Sequence, residues 1–416
     1  MAHQNTSLDI TNLSNGIKIV TDYMPESALA YSLWILRAGA AHDLDSALGT
    51  AHFHEHMFCY GNGLSDDFHF TSLTQDWPGG RNAGTSQSLT RIYMGSLPNR
   101  IRKFLEFVPH MVATPVLCPE RMEIEREIIE QEFLRSQSDE KKSFQRFRVQ
   151  EMYGNHVITK PVLGTHESIM SITRDDLVEY RNRNFLGGEM ALITAGPIPH
   201  DEIVSMTAPV LSLIKEGQNH DLAPPEILLG EPKNHYDPKK TQKISMIFPV
   251  SIESDKSSIG TLLCKLLTQE FNQLLRENRV TYNSSVALAK SLDTHYIEFS
   301  VETSPEKVQQ AFNLASEFIR NAHQHITAKR YDSMMDKQIY DDLKSLEQNR
   351  NSAHGRVSAI YNEFKRDRSI RSFDEVVDSR YVPTMDDAAN LLSTVKSGTG
   401  LVLGWGPRND LPSIQL

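Results

Sequence analysis

The stretch Thr50-Ala51-His52-Phe53-His54-Glu55-His56-Met57-Phe58 decides how this chain is read. It contains His-x-x-Glu-His, the inverted form of the zinc-protease pattern His-Glu-x-x-His. On a helix, His52 and His56 stand four residues apart, so both imidazoles project from one face and can share one Zn²⁺. Glu55 precedes His56 by one residue, roughly 100° around the helix, within reach of a water held by such an ion. The non-inverted reading fails, because His54-Glu55 would need a histidine at position 58 and Phe58 stands there. A His-rich amphipathic helix without a metal is the plainer alternative. His54 lies on the opposite face and reads as a packed or solvated histidine.

Catalytic zinc keeps three protein ligands and one open position, so a third ligand is required. Pro119 to Leu134 (PERMEIEREIIEQEFL) predicts a helix, with Pro119 in its first turn and Glu120 and Glu123 near the positive end of its dipole. Glu125, Ile128, Ile129 and Glu132 share a face at i, i+3, i+4 and i+7. Burying that face takes two carboxylates out of water, which demands a partner such as a metal with its supporting groups. Glu127 and Glu130 read as a solvated acidic face. A helix exposed all round is the alternative for the whole segment.

Taken together, His-x-x-Glu-His and Glu-Arg-x-x-Ile-x-x-Glu (Glu125 to Glu132) resemble the pitrilysin/insulinase family of inverzincin zinc metallopeptidases, in its short two-repeat form. Further marks follow in order. Leu13 to Ile17 resembles the opening strand, Arg37 to Ala40 the glycine turn, Asn82 to Ser86 an edge strand, and Pro161 to Thr165 the segment after the third ligand. Leu275-Arg276-Glu277 with Tyr282 resembles a second-half element, although five residues separate Arg276 from Tyr282 where the family has six. The resemblance implies one Zn²⁺ per chain, ligated by His52, His56 and Glu132. Glu55 would be the general base and Glu125 would support a ligand. Arg276 and Tyr282 would stabilise the oxyanion or bind substrate backbone, and Asn82 and Ala83 would hold an extended peptide. It also implies a homodimer, or a heterodimer with a related subunit, enclosing a chamber in which unfolded peptides are cut. A non-catalytic peptide-binding subunit and a dedicated precursor (leader) peptide protease remain as alternatives.

Composition sets bounds on these readings. The 416 residues are 39% hydrophobic and 23% charged, ordinary for a globular chain. A net charge of −10 argues against nucleic acid as partner. No run of 18 or more apolar residues predicts a membrane span, and Met1 to Ile10 has neither a secretory nor a transit-peptide pattern. A cytoplasmic location is the resulting expectation. Cys59, Cys118 and Cys264 are too few and too scattered for a disulfide framework.

The segment 217–240 carries four prolines among polar residues and reads as a linker between an N-terminal zinc-binding repeat (1–216) and a C-terminal inactive repeat (241–416). Each half opens with a strand-like stretch (Ala28 to Leu36; Lys243 to Val250), continues into a helix (Ser46 to Phe58; Ser258 to Arg276), and ends in a short strand (Met190 to Ala195; Gly400 to Gly404). The predicted fold is α+β, two homologous repeats, each a mostly antiparallel sheet flanked by helices. Pro305 to Ala322 predicts a core-facing amphipathic helix, and Asp341 to Arg356 a long surface helix.

Overall fold

In the computed structural model of the chain, Ala30–Leu36 (AYSLWIL) is a strand buried on both faces, as its largely apolar sequence requires. Trp34 and Leu36 enter one core, and Leu33 and Ile35 enter another on the opposite face. The structure describes residues 7–58, 60–62, 65–70, 74–238, 241–253, 256–281, 283–396 and 398–414. These form two units. The first is built from Met1–Asp139, Lys160–Asp221 and Ser345–Asp378, the second from Glu140–Thr159, Leu222–Lys344 and Ser379–Leu416.

Among the described residues the main sheet of the first unit has six strands: β1 (Ser7–Asn12), β2 (Lys18–Tyr23), β3 (Ala30–Leu36), β6 (Gly80–Thr85), β7 (Thr90–Ser96) and β8 (Met190–Gly196). The short strands β4 (Tyr60–Asn62) and β5 (Ser65–His69) pair separately. The sheet order is β1-β2-β8-β3-β7-β6, so β6 is an edge. Only β2 and β8 run parallel; every other neighbouring pair is antiparallel. Leu13 to Ile17, expected to open a strand, forms the β1–β2 hairpin turn, where Gly16 adopts φ 95°. One sheet face packs on helices Pro98–Ala113 and His200–Leu211 through Phe104, Val108, Ile203 and Leu211. The other is covered by Val357, Ile360 and Phe364 of helix Ala353–Asp367.

That covering helix marks a departure from the expected 217–240 boundary. The polar run Asp341 to Arg356 is not one helix: Ala328–Arg350 ends, and Ser352 caps a new helix by accepting from the Gly355 amide. The new helix has an apolar face, and the sheet of the first unit needs an apolar cover, so this C-terminal segment joins the N-terminal unit. Arg356 follows it inward and donates to both oxygens of Asp22 at 3.0 Å.

The second unit holds β9 (Lys233–Tyr236), β10 (Gln242–Val250), β11 (Asn283–Ser291), β12 (Thr294–Thr303) and β13 (Leu401–Gly406), in the order β11-β12-β10-β13-β9. Here β9 and β13 are the parallel pair. Part of the expected linker is therefore a strand, and Leu228 within it donates its amide to the Met152 carbonyl at 2.8 Å. Helices Ser257–Glu277, Val308–Asn321 and Met385–Lys396 cover one face through Leu263, Phe271, Phe312, Ile319 and Leu392. Helix Glu140–Tyr153 contributes Met152 and Tyr153 to a second core with Ile247, Tyr296 and Leu403. The α+β class and the mostly antiparallel sheets agree with the sequence reading. Among the described residues no helix is long and apolar enough to cross a membrane.

Removing one member of a buried ion pair strands the other charge in a low-dielectric interior, at a cost of about 3–5 kcal/mol. Asp22→Ala is expected to destabilise the first unit by that order in urea unfolding. Arg350→Ala, which breaks the half-exposed pair with Asp374, should cost less than about 1 kcal/mol.

Candidate metal centre

Helix α1 (Thr50–Phe58) is short and almost wholly buried, so its start must be held by its surroundings. Asp43 does this: its carboxylate accepts the Gly49 amide at 2.7 Å and the Ala51 amide at 2.9 Å. Thr50 donates its hydroxyl to the Ala47 carbonyl at 2.6 Å. Gly49 has φ 90°, and a Cβ there would stand 2.8 Å from the Leu163 carbonyl oxygen, so only glycine fits. Ser168 reaches the Leu48 carbonyl at 2.7 Å. The helix expected from Ser46 thus begins at Thr50, after a turn pinned by the segment that follows Pro161.

Helix α2 (Pro119–Ser138) packs beside it. Phe53 and Met57 of α1 meet Met122 and Ile129 of α2 in a shared apolar cluster. Of the expected face, Glu125 and Ile129 are buried and Glu132 is partly exposed, but Ile128 is 39% exposed. Ile128 lies at the edge of the stripe, and Arg126 takes the buried place instead. Its guanidinium donates to the Ile172 carbonyl at 2.8 Å and to the Ile169 carbonyl, which ties α2 to the segment after it.

The two helices bring His52, His56 and Glu132 together, with donor atoms all within 4.8 Å of one another. Glu132 Oε2 lies 3.7 Å from His52 Nε2 and 3.8 Å from His56 Nε2. Tetrahedral ligands of one zinc ion stand roughly 3.3–3.5 Å apart, so these two separations lie within about half an ångström of the spacing in a metal site. Both histidines point Nε2 into the cluster. His56 Nδ1 is held by Glu125 Oε2 at 2.8 Å, which fixes the ring and leaves Nε2 free to bind. Burial pushes the His52 imidazole down to about 3, keeping it neutral with its lone pair available. His56 behaves oppositely. Burial pulls it down, but the Glu125 hydrogen bond and the charges of Glu55 and Glu132 outweigh that and raise it. Three carboxylates around one imidazole make a pocket that favours a cation, and two nitrogens with one carboxylate oxygen suit zinc.

Glu55 is 9% exposed and accepts the Thr85 hydroxyl on Oε2 at 2.8 Å. Burial pushes its carboxyl up, and His56 and Thr85 act against that. His54 faces the other way and is packed: its ring lies 4.8 Å from both Phe58 and Phe185, with neither nitrogen hydrogen-bonded.

Asn82 is exposed and Ala83 partly exposed on the edge strand β6. Arg276 belongs to the second unit, exposed in the last turn of its helix, and Tyr282 lies outside the described residues, as does Cys59. Beyond Arg276, the chain turns through Arg279 at φ 55° before Val280 enters the core, so Arg279 adopts the left-handed conformation that favours glycine. Asp43, Thr85 and Arg126 are the site residues that the motif reading left without a role. Thr85 stood inside the quoted Asn82 to Ser86 segment, and Asp43 carried no local signal beyond preceding a helix.

An α+β fold presenting this cluster is that of a zinc-protease-like protein. Residues 18–166 match the insulinase family (peptidase family M16), and residues 171–337 match the peptidase M16 inactive domain. The chain belongs to peptidase family M16. An uncharacterized zinc protease of Rickettsia felis is 24% identical over 239 residues, 57% of this chain and 58% of that protein. The mitochondrial-processing peptidase subunit beta of Dictyostelium discoideum is 26% identical over 212 residues, 50% of this chain and 45% of that subunit. Both matches span less than two thirds of the relative's length. Among solved structures, the first half of the periplasmic protease PqqL from Escherichia coli has a TM-score of 0.80 at 16% identity, covering 96% of this chain and 92% of that one. A protease from Helicobacter pylori has a TM-score of 0.77 at 15% identity, covering 97% and 100%. At these identities the likeness is one of fold.

Asp43 also carries a pH signature. Burial holds its carboxyl up at about 7 despite the two amides it accepts. The folded chain therefore keeps a proton that the unfolded chain releases near its ordinary 3.8, and the stability this lends at acidic pH is lost as the pH rises through about 7. Between pH 5 and pH 8, wild type is expected to lose more stability than Asp43→Asn in parallel urea titrations. Equal losses would remove Asp43 as the cause.

Proposed function

We propose that the chain is a zinc-dependent endopeptidase acting on extended or unfolded peptides. One observation carries the reading: the ligand atoms of His52, His56 and Glu132 lie within 4.8 Å of one another, Glu132 Oε2 standing 3.7 and 3.8 Å from the two Nε2 atoms, with Glu55 beside them and Glu125 locking His56. Zinc held there would acidify a water molecule and polarise the scissile carbonyl. The chain's own groups do the rest. Glu55 accepts the proton of the attacking water and returns it to the leaving amine. Glu125 keeps the His56 ring oriented and its tautomer fixed. Asn82 and Ala83, on the edge strand, pair with an extended peptide, which selects unfolded segments over folded ones. The names of the zinc-protease and processing-peptidase relatives support this reading.

Dimerisation into a closed chamber belongs to the same proposal, with Arg276 and Tyr282 of a second subunit meeting the zinc site; the partner is a second copy or a related chain. A purely peptide-binding subunit is disfavoured because His52, Glu55, His56 and Glu132 are all retained. A leader-peptide protease would share every step and differ only in substrate.

Metal analysis of purified protein is expected to find about one zinc per chain. His52→Ala and Glu132→Ala should lose it while keeping the wild-type circular dichroism spectrum. Full retention in both variants would overturn the ligand set.

Glu55→Gln keeps the side chain's shape but cannot take up a proton. It should retain zinc and lose roughly 10²–10⁴-fold in turnover on a peptide library read by mass spectrometry. Glu125→Gln should cost about 10–100-fold in zinc affinity or activity, since it leaves His56 Nδ1 without a carboxylate.

A further inference from the structure

Thr85 is the last residue of β6, the strand that also carries Asn82 and Ala83, and it pairs with Thr90 of β7 in register. Its hydroxyl donates to Glu55 Oε2 at 2.8 Å, and its backbone amide faces the same carboxylate. Among the described residues no other side chain donates a hydrogen bond to Glu55. Glu55 is 9% exposed, so solvent offers little to replace a lost donor. Side chains alternate along a strand, so Thr85 and Ala83 leave β6 on one face, while Asn82 leaves on the other.

We infer that Thr85 is a positioning residue for the general base, joining the base and the peptide-docking edge in one rigid frame; this rests on the peptidase reading above. A carboxylate can swing about its last torsion, and proton transfer requires it to present one oxygen to the attacking water. With Oε2 occupied by Thr85, Oε1 is the oxygen left to work. Because the donor ends the edge strand itself, a peptide paired along Asn82 and Ala83 sits at a set distance from that oxygen. Strand register then chooses which peptide bond faces Glu55.

The test uses the zinc-loaded full chain with Thr85→Val, which removes the hydroxyl at nearly constant shape, and Thr85→Ser, which restores it. Thr85→Val is expected to lower kcat about 10–100-fold, the scale for groups that orient a reacting side chain, with KM within about twofold and zinc content unchanged. Thr85→Ser should recover most of kcat. In a Glu55→Gln background, Thr85→Val should have almost no further effect, because a residue acting only through another adds nothing once that other is gone. A second arm needs no activity. In metal-free protein, Thr85→Val should lower the unfolding midpoint by roughly 2–4 °C, and by much less when Glu55 is already alanine. Wild-type kcat in Thr85→Val, a defect in KM alone, a serine variant as impaired as valine, or additive midpoint shifts would each overturn the role of Thr85. Wild-type protein that shows no zinc-dependent cleavage overturns the peptidase reading itself, and this inference with it, while the midpoint arm separately reports whether the hydrogen bond exists.

Discussion

A hydrogen bond of 2.8 Å between His56 Nδ1 and Glu125 Oε2 joins helix α1 to helix α2, and the geometry of the centre depends on it. Without it the His56 ring could rotate, and Nε2 would lose its fixed distance to Glu132. A buried carboxylate against a buried imidazole is costly unless both are satisfied. Glu125 is 2% exposed and its second oxygen has no hydrogen-bond partner among the described residues. Apolar residues in the same place would pack at lower cost, so the pair fixes the orientation of the His56 ring more than it adds stability.

Around that bond the scaffold is arranged to leave α1 little freedom. Asp43 and the Gly49 turn hold its start, the apolar cluster of Phe53, Met57, Met122 and Ile129 holds its flank, and Arg126 anchors α2 through backbone carbonyls. Each contact comes from a different stretch of chain. A site assembled on two packed helices and one sheet edge keeps its donors within a few tenths of an ångström more readily than one on loops. The acidic surroundings do electrostatic work as well: Glu55, Glu125 and Glu132 together favour a dication at the one point where two imidazole nitrogens and a carboxylate oxygen meet.

The division into units follows apolar faces rather than chain order. β3 is apolar on both sides, and a strand of that kind needs two covers. The N-terminal segments supply one through Phe104 and Val108. Helix Ala353–Asp367 supplies the other from nearly the opposite end of the sequence. The buried Arg356–Asp22 pair fixes where that helix lies.

The cluster of His52, His56 and Glu132, with Glu55 and Glu125 beside it, was legible because helix geometry links its members locally. Residues four apart share a face, and Glu125 and Glu132, seven apart, do the same, so His52, Glu55, His56, Glu125 and Glu132 could be placed from spacing and resemblance alone. The α+β class was legible for a similar reason, since apolar periodicity is written within each element. What spacing cannot carry is contact between elements. Thr85 meets Glu55 only because β6 ends where α1 passes; Asp43 caps α1 only because a glycine turn brings it back; Arg126, not Ile128, is buried because of what packs against α2. The exchange of helices between halves was equally hidden, since an amphipathic helix records that it has an apolar face but not which sheet will cover it. Local periodicity is set by bonds along the chain, whereas these contacts are set by which apolar surfaces find each other when the chain collapses.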